Sequence, residues 1–70
     1  MGLASTFIHK EDKYTIVEAR KLDRFTRIVT ISRGIMTGNK GDYIIRDVNE
    51  GDFYIMRGPL FEYEFTKRGE

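Results

Sequence analysis

At 70 residues the chain makes one small domain, which buries only about 60% of its unfolded surface and gains from a partner or from self-association. It has no Cys, which excludes disulfides, thiol nucleophiles and Cys-based zinc sites, and a net charge of +1, which excludes a strong overall field. No apolar run is long enough to cross a membrane, and Met1-Gly2-Leu3-Ala4 lacks the charged start and apolar core of a signal peptide, so the cytoplasm is the expected compartment.

In chain order, residues 1–12 read as a loosely held start with Phe7 and Ile8 as anchors. Residues 14–22 alternate weakly and predict a strand. Residues 25–31 predict a second one, with Phe25, Arg27, Val29 and Ile31 on a common face. The competing reading is one amphipathic helix, since Ala19, Leu22, Phe25 and Val29 are spaced three, three and four apart. The branched side chains of Thr26, Ile28, Val29, Thr30 and Ile31 argue for strands, because they lose χ1 freedom in a helix. Residues 34–37 suit a short strand, and residues 38–42 a tight turn.

The sharpest pattern lies in residues 41–65. Tyr43-Ile44-Ile45-Arg46 and Phe53-Tyr54-Ile55-Met56 are β-prone runs around a loop containing Gly51, which predicts a hairpin of residues 42–47 and 52–57 turning at 48–51. After the break at Arg57-Gly58-Pro59, Phe61, Tyr63 and Phe65 alternate with Glu62 and Glu64. Residues 60–66 are therefore expected to form a strand with Phe61 and Phe65 buried. Residues 67–70 read as a loose polar tail. The expected class is all-β, a single domain built as a small antiparallel barrel or strongly bent sheet of five to six short strands. Adjacent Ile44 and Ile45 suggest that both faces of their strand are covered.

Gly41-Asp42-Tyr43-Ile44-Ile45, Gly51-Asp52-Phe53-Tyr54 and the closing Leu60-Phe61-Glu62-Tyr63-Glu64-Phe65 resemble a family of small bacteriophage proteins of unknown function (PGDYG-like). Ile16-Val17-Glu18-Ala19 is similar to a run near that family's N-terminus. Lys40 stands where the family often has Pro, and residues 20–31 have no clear counterpart. The resemblance implies the setting of an infected bacterial host and no particular activity.

Catalytic chemistry finds little to build on. His9 is the single His, and neither Ser5 nor Ser32 sits in a motif that exposes a nucleophile. Asp47, Asn49, Glu50 and Asp52 cluster around Gly51, but the glycine falls at the fifth position rather than the sixth and strands flank it, so a hairpin turn is the better reading than a calcium loop. No cofactor or metal is expected. Charge is unevenly placed. Residues 20–40 hold six bases (Arg20, Lys21, Arg24, Arg27, Arg33, Lys40) and one acid (Asp23), whereas residues 41–70 hold four bases and seven acids. Such opposed blocks suit binding to a host or phage protein, or self-association into an oligomer. The alternative is a small barrel that stacks single-stranded nucleic acid on aromatics beside bases, through Arg24, Arg27, Arg33, Lys40, Tyr54 and Arg57. The competing view of the same residues makes Phe25, Phe53, Phe61 and Phe65 the core and the arginines a solvated face.

Overall fold

The computed structural model describes residues 4–68. Along the chain come β1 (Ser5–His9), β2 (Ile16–Lys21), β3 (Thr26–Val29), β4 (Ile35–Gly38), β5 (Tyr43–Asp47), β6 (Phe53–Met56), α1 (Gly58–Glu64) and β7 (Phe65–Lys67). Five antiparallel strands in the order β6-β5-β2-β1-β7 form the main sheet, and β3 and β4 form a separate two-stranded one. The architecture is mostly strands in a strongly bent sheet that, among the described residues, does not close, so β6 and β7 remain edges where a barrel would have none.

The hairpin of β5 and β6 forms where the sequence places it, with Ile45 opposite Tyr54 and Tyr43 opposite Met56. Gly51 supplies the positive φ, and Asp47 Oδ1 accepts the N–H groups of Asn49 (2.8 Å) and Glu50 (3.2 Å). The carboxylates expected around this loop therefore shape a turn. Residues 16–29 form two strands, as branched side chains prefer, and not a helix.

Three expectations fail. In the tail read as loose over residues 67–70, Lys67 belongs to β7 opposite Phe7, and the Arg68 N–H donates to Thr6 O at 2.9 Å. Ser5–His9, read as loosely held, is β1, hydrogen-bonded to β2 on one side and β7 on the other. Phe7 gives it a place, meeting Phe61 edge-on at 4.9 Å. The expected strand over residues 60–66 is instead α1 followed by the short β7. Pro59 sits in the first turn of α1, where its fixed φ suits a helix and its missing N–H is not needed. Phe61 and Phe65 are four apart, so a helical turn brings both to one side, and their rings stack at 4.8 Å. Both are buried as expected, while Tyr63 turns outward.

The core lies between the main sheet and α1. Val17, Ala19, Tyr43, Ile45, Phe61 and Phe65 form it, with Phe7, Tyr54 and Met56 packed alongside. Tyr43 stacks on Phe61 at 4.2 Å, and its hydroxyl donates to Glu62 Oε2 at 2.8 Å. Asp42 secures the start of α1. Its Oδ1 accepts the Gly58 N–H (3.1 Å) and its Oδ2 the Asn39 N–H (2.9 Å). Gly58 approaches the Gly41 carbonyl so closely that a Cβ there would collide with it. The opposite face of the main sheet is half-covered: Ile44 is partly exposed and Phe53 is 45% exposed.

Candidate interaction face

β3 and β4 pair antiparallel from Thr26↔Gly38 to Val29↔Ile35. Beyond them Thr30 N–H donates to Gly34 O at 2.8 Å, and Gly34, at φ 71°, closes the loop. The Thr30 hydroxyl also donates to Gly34 O (2.8 Å) and accepts the Arg33 N–H (2.9 Å). Strand alternation puts Thr26, Ile28, Met36 and Gly38 on one side. This side faces inward: Leu22 and Ile55 lie against Gly38, leaving no room there for a larger side chain unless they move.

Phe25, Arg27, Val29 and Ile31 do share a face, as the alternation predicts, but it is the outer one. Their apolar members are 62% (Phe25), 76% (Val29) and 85% (Ile31) exposed, and Ile35, directly opposite Val29, is 56% exposed. Phe25 and Phe53 thus stand outside the core, whose phenylalanines are Phe7, Phe61 and Phe65. Leu22 and Ile55 take the inward place that the sequence suggests for Phe25.

The hairpin's loop is fastened to the main sheet by a buried carboxylate. Asp52 Oδ1 accepts the N–H of Ile31 (2.9 Å) and of Phe53 (2.8 Å), and Oδ2 accepts the Ser32 N–H (3.1 Å) and the Ser32 hydroxyl. These bonds, the Ser32 hydroxyl first and then the Ile31 N–H, outweigh burial and hold the Asp52 carboxyl down at about 2. Arg33 joins them, with its guanidinium 3.6 Å from Asp52 Oδ2 and 4.7 Å from the centre of the Tyr54 ring. Tyr54 is pushed up, chiefly by burial and then by the charge of Asp47.

Of the six residues singled out in the sequence, Arg33 and Tyr54 meet, and their contact is a cation–π stack beside Asp52. Arg57 is the exposed residue just before α1, and its side chain makes no capping bond to the helix. Arg24 is exposed and leans on neighbouring Asp23 at 3.4 Å. Arg27 is exposed in the middle of the apolar outer face, and Lys40 lies exposed in the turn before β5. Arg24 and Lys40 thus lie at the hairpin's open end, Arg33 at its loop, Arg27 on its outer face and Arg57 away from it, before α1. Sequence reasoning missed Asp52 as the fastening and Ile35 as part of the face. The repeated Gly-Asp pair was the available signal, since Gly41-Asp42 and Gly51-Asp52 each end a turn with a carboxylate that ties down a distant segment.

His9 stands apart, in a recess with Lys10, Glu11, Tyr63 and Glu64. Its Nδ1 accepts the N–H groups of Glu11 (3.1 Å) and Asp12 (3.2 Å), so the ring's proton sits on Nε2, 3.9 Å from Glu64 Oε1. The acceptor nitrogen that a general base would offer is taken up by a turn. Among the described residues no three His, Asp or Glu side chains are grouped to hold a metal ion, and no helix is long and apolar enough to cross a membrane. Comparison of the chain with protein-family models, with curated proteins and with solved structures found no match.

Proposed function

We propose that this chain is a small, non-enzymatic binding domain that docks another protein, or a second copy of itself, on the outer face of the β3–β4 hairpin. The setting implied by the resemblance is the cytoplasm of a phage-infected bacterium, where it acts as an accessory protein on a host or phage protein. The observation that carries the reading is the strip of Phe25, Val29, Ile31 and Ile35 around Arg27, exposed together on one face. Single solvated apolar residues are ordinary on protein surfaces, whereas a contiguous strip with polar neighbours marks an interaction site. Arg27 adds a charged group that a partner carboxylate satisfies. The spread of the other bases speaks against single-stranded nucleic acid, which needs them along one track.

A photo-crosslinking amino acid in place of Ile31 tests the face, with the same group in place of Lys40 as control. Adducts to a protein, including this chain itself, are expected from position 31 and not from position 40. Equal yields from both, or none from 31, contradict the reading. Titration of a labelled poly-dT strand at low salt addresses the alternative: no binding is expected, and micromolar, salt-sensitive binding lost in Arg27→Glu reverses the ranking.

A further inference from the structure

Beyond that reading, we propose that a second copy of the chain binds at the edge of the same hairpin, beside its outer face rather than on it. Two β3 strands pair antiparallel about a twofold axis, joining two hairpins into one four-stranded sheet in the order β4-β3-β3-β4. Among the described residues β3 is bonded to β4 alone, and that sheet is separate from the main one. The Thr30–Gly34 bond sets the phase of the ladder: Thr26, Ile28 and Thr30 bond toward β4, so Arg27 and Val29 turn their N–H and C=O groups outward. Those four groups form a bare edge. It holds no Pro, no Lys and no bulge between Thr26 and Val29, and its only guards are its shortness and the charge of Arg27.

The edge is complementary to itself in one register. With the axis through Ile28, Arg27 of each copy lies opposite Val29 of the other, and all four outward groups of each strand find partners. On the outer face the stem of Arg27 then runs beside Val29 of the other copy, and Phe25 comes opposite Ile31. Centring the axis on Arg27 sets the two arginines directly opposite, which repels. Centring it on Val29 asks for the Ile31 N–H, which is already given to Asp52. A shift by half a step pairs outward groups with inward ones and forms no ladder. A two-stranded hairpin is marginal by itself, and a four-stranded sheet is not.

The absence of Cys makes a direct test available. In the proposed register Ile28 faces Ile28 across a non-hydrogen-bonded position, with Cα atoms about 4.5 Å apart, inside the range a disulfide needs. On mild oxidation, Ile28→Cys is expected to give a covalent dimer far faster than Lys40→Cys. Sedimentation equilibrium of the unmodified chain is expected to show monomer and dimer. Val29→Pro deletes an outward N–H without touching a bond to β4, and is expected to weaken dimerisation roughly tenfold or more while leaving the circular dichroism of the dilute monomer unchanged. A chain that stays monomeric at millimolar concentration, or Ile28→Cys crosslinking no faster than the control, overturns the pairing. If position 31 still gives adducts to a different protein, only the pairing falls and the docking face stands; if it gives none, both fall.

Discussion

In the main sheet, β2 has a bonded strand on each side, and its inward residues Val17 and Ala19 lie under stacked aromatic rings from β5, α1 and β7. In the β3–β4 hairpin, neither strand has a second bonded neighbour among the described residues, one face is wet, and the attachment to the rest is Asp52 and the Arg33–Tyr54 stack at the loop plus the contact of Leu22 and Ile55 with Gly38. The first region is held by apolar burial and the second mainly by polar contacts at its loop. That division leaves the hairpin free to present apolar groups that a self-sufficient domain of this size would have folded inward.

The largest expected effect breaks the first region. Phe61 is 1% exposed and contacts three rings, so Phe61→Ala should cost about 3–5 kcal/mol, close to the whole stability of so small a domain. Urea or thermal unfolding will show it. Next, Gly58→Ala drives a Cβ into the Gly41 carbonyl, a backbone atom that cannot rotate away. A loss of about 1–3 kcal/mol is expected, larger than for Gly38→Ala, whose Cβ meets side-chain methyls of Ile55 and Leu22 rather than backbone.

A third change separates the two regions. Asp52→Asn removes the charge that gathers the hairpin's loop, and it should loosen residues 30–34 while leaving the aromatic core in place, as read by amide chemical shifts. Acid should act on the same bond. The Asp52 carboxyl is lowered from 3.8 to about 2, so its contribution is complete above the ordinary value and is lost as pH falls from about 4 through 2. Tyr43 gives the opposite sign in the core. Burial first, and then its bond to Glu62, push its hydroxyl from 10.0 up to about 12, so the stability it lends is full below 10 and is lost as pH rises toward 12. A late step in phenolate absorbance is expected, absent in Tyr43→Phe, which should lose about 0.5–1.5 kcal/mol.

The hairpin of β5 and β6 was legible because branched and aromatic residues flank a glycine at a positive φ, so propensity and turn chemistry agree. α1 was not, because Phe61 and Phe65 satisfy a period of two as well as a helical turn, and Tyr63 between them completed a false alternation. β1 was hidden by its brevity and by the polar residues after it. For the candidate face, alternation told which of Phe25, Arg27, Val29 and Ile31 stand together but not which way they turn. The opposite side, with Thr26 and Ile28, is no more polar, and the choice is made by Leu22 and Ile55, which approach only in the folded chain.

Residue-by-residue native hydrogen exchange, at a dilution where copies do not associate, tests the division between the regions most directly. Amides of Val17 and Ala19 are expected to exchange only on global unfolding and the Thr30 amide through a cheaper local opening, with Asp52→Asn lowering the second cost and not the first. Equal opening free energies for Thr30 and Ala19, falling together in Asp52→Asn, would contradict it.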